Sequence, residues 1–527
     1  MKKEEWGGKM FEGNETDNAN EISGTSEKHE LKPEEILDYK SADKLLLLGA
    51  FALGVLFSWL FYGNYPGISV PIFIIAFYAL LLFYTRPLLA KEAKFGWFLS
   101  IPVLMISLTF FLHGNKVLHI LNLFALLPLI LLQTLLITGA NSYKWDSPGI
   151  IADLLYGVFG RSLYHAAKPF RFVSSALRTK KVRNGKTGVK VLIGLLISLP
   201  LILVLGLLLS SADIVFGEFL KKLTVIFSEI NLGEFFGRSV AALIIFMLSF
   251  SYAWSLGHGE KLSDILPVDT ELKQPDERRR WDQVTVITVT VMVDVLYIAF
   301  VAVQFLYLFG RSGLPEGFTY SEYARRGFFE LIAVSIMNIG ILACTLTYAK
   351  RCEQTKDIIL KILNTIMICC TFVMLYSAHY RMSLYENAYG FTFLRVMTRA
   401  FMVFLLVLFI ITLARVWFTR LPLLKPYIVV AVIAFTVINY INVDAIITGN
   451  NIKRYYETNN IDVEYFRMLS NGVVADLAIL AKDKDPLVSS AARDILEQRK
   501  KQLSEERGWQ SFNLTDYMAK KHLEKGW

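Results

Sequence analysis

The chain has 527 residues, of which 54% are hydrophobic and only 19% are charged, and its mean hydropathy is +0.44. This composition excludes a water-soluble globular protein. The net charge of +9 comes from the connections between apolar segments. Basic residues in that position suit lipid headgroups and membrane orientation, so nucleic acid is not an expected partner.

The first 40 residues carry 6 basic and 11 acidic side chains and contain no apolar run. They predict a disordered, acidic cytoplasmic tail and not a secretory signal. The four cysteines of the chain follow neither a disulfide pattern nor a zinc-binding spacing. We therefore expect no metal site and no cofactor.

Eleven apolar segments of membrane-spanning length follow the tail. About 20 helical residues are needed to cross a hydrocarbon layer of roughly 30 Å. The sequence therefore predicts an all-α, polytopic transmembrane bundle of about 11 spans over residues 41–446. The predicted spans are 45–62, 67–85, 95–112, 117–138, 191–212, 239–257, 284–309, 327–349, 358–378, 400–419 and 426–446.

The basic residues of the connections predict the orientation. With the N-terminus inside, the inner connections hold 23 Lys and Arg residues and the outer connections hold 10. Cytoplasmic loops are the ones enriched in these residues. We therefore predict a multi-pass cell-membrane protein with a cytoplasmic N-terminus and an extracytoplasmic C-terminus.

Two stretches between the spans have the pattern of helices that lie on the membrane surface. Residues 152–178 combine an apolar stripe with basic residues that include Arg161 and Lys168, which predicts contact with anionic lipids of the inner leaflet. Residues 212–237 carry a second apolar stripe, expected at the outer face. Ordinary packing against the bundle is the alternative for both.

Residues 447–527 leave the apolar pattern of the spans. Two short helices are predicted around a turn at Lys482 to Asp485. The pair resembles one unit of a helical solenoid, but one unit cannot bury a continuous core. We therefore predict a small helical extramembrane cap that packs on the membrane domain.

Three polar residues fall near the middle of predicted spans, namely Asp294, Asn338 and Asn439. A carboxylate at this depth is costly unless it is paired or hydrated, which makes Asp294 a functional candidate. If the three share one layer, they form a hydrated or proton-carrying site. Interhelical hydrogen bonding that holds the bundle together is the alternative.

Charged and aromatic residues also gather at the predicted outer ends of several spans. Two outer connections supply a candidate vestibule, which consists of Glu322, Arg325, Arg326, Glu330, Glu386, Arg395 and Arg399. Interfacial anchoring is the alternative role. Amides and charges are also dense where the last span meets the cap, at Asn442, Asp444, Asn451 and Arg454. This helix-to-cap junction is predicted to bind the cap or to complete the vestibule.

Several sequence blocks, in order along the chain, resemble a known family. They are SADIVF at 211–216, LPEGFTYSEYARRGFFEL at 314–331, LYENAYGFTFLR at 384–395, INVDAIITGNNIKRY at 441–455, IDVEYFRMLSNGVVADL at 461–477 and GWQSFNLTDYMAKKHL at 508–523. The chain resembles the bacterial multi-pass family catalogued as domain of unknown function 4173 and its relative 4153. The resemblance implies an integral membrane protein of the bacterial envelope without an established activity.

Three functions remain open from the sequence. The first is a non-enzymatic envelope sensor or assembly partner, for which another envelope protein is the candidate partner. The second is a secondary transporter or lipid flippase that uses the intramembrane carboxylate of Asp294. The third is a membrane-embedded transferase that acts at the outer face. The enzyme is the least favoured of the three, because the carboxylates are scattered and no residues follow a catalytic spacing.

Overall fold

A computed structural model describes residues 41–90, 93–172, 232–265, 281–308, 328–349 and 353–526, together with short pieces between 198 and 219. The elements of this part of the chain are helices. The N-terminal tail, most of the predicted span 191–212 and most of the predicted surface helix 212–237 lie outside the described residues.

Nine of the described helices are long and apolar enough to cross a membrane. The prediction of a helical multi-pass membrane protein is thereby confirmed, whereas a count of eleven spans is not. The nine helices are α1 (Ser41–Phe61), α2 (Ser69–Thr85), α3 (Lys94–Leu112), α4 (Lys116–Thr138), α5 (Leu232–Gly257), α6 (Gln283–Leu308), α7 (Phe328–Tyr348), α8 (Gln354–Tyr389) and α9 (Phe393–Trp417).

Local sequence signals set the ends of α4. The side chain of Asn115 accepts a hydrogen bond from the backbone N–H of Leu118 and so caps the first turn. Gly139 ends the helix in the left-handed conformation, with φ 65°, a conformation that glycine adopts without steric cost.

The last predicted span, 426–446, requires a correction. Helix α10 (Leu424–Tyr440) ends earlier, and the chain bends by 59° into α11 (Val443–Thr458). The break occurs because Ile441 is extended and the side chain of Asn442 caps a new helix by accepting a hydrogen bond from the backbone N–H of Ala445. Helix α11 therefore belongs with the cap.

Helices α1 and α5 pack closely against each other in opposite directions. A Cβ atom at Gly54 of α1 would lie only 2.3 Å from the carbonyl oxygen of Ala242 in α5. Gly237, near the start of α5, lies against Tyr62, just after the end of α1. Small residues allow this approach of two backbones, as is common between helices in membranes.

The connections that the charge bias assigns to the inner face lie together in the structure. Lys425 forms an ion pair of 3.3 Å with Asp146. The backbone N–H of Ser263 donates to the hydroxyl of Ser142 at 3.1 Å. These contacts bring together the connections that follow α4, α5 and α9, so these three helices end on the same side of the bundle.

The cap contains α11 and three further helices, α12 (Val474–Leu480), α13 (Pro486–Ser504) and α14 (Leu514–Glu524). Asp485 caps α13 and is followed by a proline at the first helical position, a common pattern at helix starts. The apolar faces of the helices form one core. Its most deeply buried members are Ile447, Phe466, Val473, Leu477, Leu480, Ala481, Ala492, Ile495 and Leu496.

Hydrogen bonds join the cap to the ends of the spans. The backbone N–H of Ile68, between α1 and α2, donates to the carbonyl of Phe512 at 3.0 Å. The hydroxyl of Thr515 donates to the carbonyl of Leu112, the last residue of α3, at 2.9 Å. Because these bonds use backbone groups of the connections, they fix the cap in one register on the bundle.

Candidate functional site

Asp294 lies on α6 and is buried, with 2% of its surface exposed. Among the described residues, no donor lies within hydrogen-bond distance of either carboxylate oxygen. A buried carboxylate without donors is costly in its charged form. Asp294 is therefore the one predicted intramembrane residue with no hydrogen-bond partner for any of its side-chain polar atoms among the described residues.

Asn338 on α7 connects three helices. Its side-chain carbonyl accepts a hydrogen bond of 2.6 Å from the hydroxyl of Tyr297, one turn after Asp294 on α6. Its amide donates to the hydroxyl of Thr371 on α8 at 2.8 Å. This is the pattern expected of a polar residue that holds helices together in the membrane.

Asn439 does not join these two residues. It is buried near the end of α10, and its amide donates to the carbonyl of Phe435 in the same helix. Asn439 lines a small cavity beside the cap, and its side-chain oxygen has no hydrogen-bond partner among the described residues. The structure thus brings together two of the three predicted intramembrane residues, and the third lies at the junction between α10 and the cap.

Part of the predicted vestibule lies outside the described residues, namely Glu322, Arg325 and Arg326. Glu330 is described, and it is exposed at the start of α7. Glu386 is buried on α8, where it forms an ion pair of 2.8 Å with Arg399 of α9. The described vestibule residues of α8 and α9 therefore contact each other.

Arginines satisfy the last carbonyls of α8. Arg454 of α11 donates to the carbonyls of Asn387 and Ala388, at 2.7 and 2.6 Å. Arg395 of α9 donates to the carbonyls of Tyr389 and Gly390. The end of a helix leaves its last carbonyls without intrahelical partners, so these contacts fulfil a structural requirement. They also leave the guanidinium groups engaged within the protein.

The amide of Asn451 holds the turn that follows α8. Its side-chain oxygen accepts from the backbone N–H of Phe391 at 2.7 Å, and its amide donates to the carbonyl of the same residue at 2.8 Å. Together with Arg454, one turn later on α11, it binds the junction helix to the α8–α9 turn. The structure thus places both residues on the helix-to-cap junction where the sequence predicts them.

Asp444 is the buried charge at the centre of this junction. Both carboxylate oxygens accept from the side-chain amide of Asn115, at 3.0 and 3.2 Å. One of them also accepts from the backbone N–H of Ser470 at 3.1 Å. Asp444 therefore ties three parts of the chain together: the start of α4, the first turn of α11 and the loop before α12.

A small cavity, large enough for a water molecule, lies beside Asp444 at the bend between α10 and α11. Polar groups of His113, Asn115, Asn439 and Asn442 line it. Burial lowers the pKa of His113, and the charge of Asp444 only partly opposes this shift. The imidazole is therefore neutral at pH 7. The cavity suits water or a very small polar ligand.

A second buried polar cluster, which the sequence analysis missed, lies at the opposite ends of the spans. Arg161 is 1% exposed and donates to the carbonyl of Ala140 at 2.8 Å. It lies in a stretch of π-helix, Tyr156–Arg161. The expectation that Arg161 contacts lipid headgroups is therefore wrong, because the guanidinium points into the protein. The lipid-facing role of the remaining residues of 152–178 stays a prediction.

The cluster continues through a contact between His165 and Glu260. The ring Nε2 of His165 lies 2.7 Å from a carboxylate oxygen of Glu260, just after α5. Burial alone would raise the pKa of Glu260, but hydrogen bonds from His165 and Ser255 outweigh it and lower the pKa. The sequence carries one signal for this arrangement. Asp153, Gly157 and Arg161 recur at four-residue spacing on the face opposite the apolar stripe.

The described residues contain no group of three or more histidines, cysteines or acidic residues that could hold a metal ion. Three of the four cysteines are described, and none of the three forms a disulfide.

Residues 100–480 match the family model described as Domain of unknown function (DUF4153). The chain belongs to this family. The match does not show the predicted resemblance to the relative 4173, so that finer assignment stays a prediction. Neither the curated proteins nor the solved structures include a match to this DUF4153 protein.

Proposed function

We propose that this DUF4153 protein is a non-enzymatic component of a bacterial cell envelope, in which the spans carry the C-terminal cap as a sensor or assembly surface. The observation that supports this most is the rigid attachment of the cap. The cap bonds to the α1–α2 connection, to the α3–α4 connection and to the α8–α9 turn. An outer domain fixed in this way moves with the spans.

The proposed orientation places the cap outside the cell and the N-terminus in the cytoplasm. The excess of basic residues in the other set of connections supports it. In this orientation the inner cluster of Arg161, His165 and Glu260 lies on the cytoplasmic side. The cap then lies on the outer side of the membrane, where it can bind other envelope proteins.

Site-specific photocrosslinking tests this function in intact cells. Two cap residues with large apolar side chains are mostly exposed, Met468 at 82% and Leu487 at 79%. We expect a photoreactive residue at Leu487 or Met468 to yield one discrete adduct with an envelope protein. Leu487→Asp should abolish the adduct formed from Met468 while the amount of folded protein stays constant.

The control is a photoreactive residue at Phe124, which is 76% exposed on the α4 span and should contact lipid alone. The proposal fails if the cap positions give no discrete adduct, or if they give the same products as Phe124. Because Leu487 and Met468 are surface positions, neither label is expected to disturb the core.

Transport is the second candidate, and the unsatisfied carboxylate of Asp294 beside the Tyr297–Asn338–Thr371 hydrogen bonds favours it. A proton-coupled transporter needs such a carboxylate within reach of water. Under the proposed non-transport function, Asp294→Asn should leave the unfolding temperature unchanged or raise it, because an amide is cheaper to bury without partners than a charge.

Proteoliposomes loaded with a pH-sensitive dye distinguish the two functions. We expect no proton influx above protein-free vesicles when a membrane potential is imposed, for either the parent protein or Asp294→Asn. An influx that the parent protein shows and a folded Asp294→Asn variant lacks would establish transport instead.

A further inference from the structure

The last helix of the cap has an apolar face that the cap core does not cover. Leu514, Tyr517 and Met518 lie at spacing i, i+3 and i+4 on α14 and are 39%, 50% and 59% exposed. The opposite face is buried, with Ala519 and Leu523 in the cap core. Helix α14 is therefore amphipathic, with its exposed apolar stripe turned away from the cap.

The turn before α14 extends this face toward two spans. The ring of Trp509 lies 5.3 Å from the ring of Trp59 near the end of α1, and both side chains are half-exposed. The ring of Phe512 lies 5.8 Å from Phe111 near the end of α3. The exposed apolar surface of the cap is thus continuous with the ends of helices that cross the membrane.

Aromatic residues at the ends of spans sit at the level of the lipid headgroups. Since Trp509 and Phe512 contact such residues directly, the stripe of α14 lies at the same depth. Lys520, Lys521 and Lys525 are exposed on α14 and just after it. Basic residues beside an apolar stripe with aromatic rings are typical of helices that lie in the membrane interface.

We infer that α14 and the preceding turn form a lipid-binding surface, through which the cap inserts Trp509, Phe512, Leu514, Tyr517 and Met518 into the outer boundary of the bilayer that its own spans cross. The ligand is a phospholipid surface, whose acyl chains meet the apolar stripe and whose phosphates meet the lysines. The inference concerns lipid and not the envelope protein of the proposed function, so each can fail without the other.

Spin labels on the full-length protein test the depth of this surface. The four native cysteines are replaced by alanine, and a single cysteine is introduced by Met518→Cys or, independently, by Tyr517→Cys. Leu487→Cys, at a cap residue that is 79% exposed on α13, provides the matched aqueous control. The protein is reconstituted into vesicles of phosphatidylcholine with one quarter phosphatidylglycerol.

For each spin label, the collision rate with molecular oxygen, which concentrates in the bilayer, is compared with the collision rate with a nickel complex that stays in water. We expect labels at 518 and 517 to favour oxygen and to meet the nickel complex several-fold less often than the label at 487. Equal nickel accessibility at all three positions would place α14 in water and overturn the inference. Low accessibility to both reagents would also overturn it, because the surface would then be covered by protein.

Discussion

Arg499→Met is expected to cost the cap about 3 kcal/mol of its unfolding free energy. Arg499 is 5% exposed, and its guanidinium donates to the carbonyls of Phe466, Leu469 and Ser470, at 2.7, 3.0 and 2.6 Å. Methionine retains much of the length of the side chain but none of its donors. The variant therefore removes all three of these hydrogen bonds. The carbonyls of Phe466 and Ser470 keep weaker backbone partners, whereas the carbonyl of Leu469 loses this donor, and an unsatisfied buried group costs about 1–3 kcal/mol.

The charge of Arg499 persists despite its burial. Burial lowers its pKa to about 10, and the carboxylates of Asp444 and Asp516 oppose the shift. The side chain of Arg499 is thus protonated at pH 7. Arg499→Lys keeps the charge but cannot reach the same acceptors with one ammonium group, so an intermediate loss is expected.

Thermal unfolding of the detergent-solubilised protein, read out by proteolysis of the cap, measures the loss. Arg493→Met is the matched control on the same helix, because Arg493 makes one hydrogen bond to the carbonyl of Ala481. It should cost less than about 1 kcal/mol. Equal losses for the two variants would show that the Arg499 contacts do not hold the loop 466–471.

The burial of Arg499 was only partly predictable from the sequence. It lies in the run Arg499, Lys500, Lys501, which is typical of a solvated helix face. Arg499 lies three residues after Leu496 and four before Leu503, which places it on the buried face of α13. This helical spacing was the sequence signal that Arg499 is buried. Composition alone does not distinguish a structural arginine from its solvated neighbours.

The spans were predictable because hydrocarbon length and apolar composition determine them with few alternatives. Helices α1 to α4 begin and end within a few residues of the predicted segments. The bend at Ile441 was not predictable from average hydropathy, because α10 and α11 taken together are still apolar enough to pass as one span. It depends on the capping of α11 by Asn442, a local hydrogen bond that a hydropathy average does not register.

For the buried polar clusters, the sequence predicted the candidate residues but not their partners. Residue type identified Asp294, Asn338 and Asp444 as candidates, since polar groups in apolar segments are rare. Their partners come from positions remote in the chain, as in the pairing of Asn115 with Asp444 across 329 residues. Contacts of this kind depend on tertiary packing, which one sequence does not specify.

The second large effect is expected at the contact that ties the cap to α4. Asp444→Asn should destabilise the cap by about 2 kcal/mol, because one carboxylate oxygen becomes an amide that faces the N–H donors of Asn115 and Ser470. The variant also removes a negative charge from the first turn of α11, where it is favourable by a few tenths of a kcal/mol or more. Proteolysis of the cap during thermal unfolding measures the loss.

Asp485→Asn is the matched control. Asp485 caps α13 by accepting from the backbone N–H of Leu487 at 2.8 Å, and it lies on the exposed rim of the cap. Asparagine caps helices as well as aspartate does. The unfolding free energy of the Asp485→Asn variant should therefore differ from that of the parent protein by less than about 0.5 kcal/mol. A similar loss for both variants would trace the effect to charge in general and not to the junction.

Exchange of the two partners tests whether the contact itself couples the cap to the spans. Asn115→Asp alone sets two carboxylates against each other and should destabilise the junction, although aspartate still caps α4. The double variant Asn115→Asp with Asp444→Asn restores one donor opposite one acceptor. Its loss should therefore be smaller than the sum of the two single losses by about 1–3 kcal/mol, the coupling expected of residues in contact. Strict additivity would mean that Asn115 and Asp444 act independently, and the cap would then be held to the spans by its other contacts, such as that of Thr515 with the carbonyl of Leu112 at the end of α3.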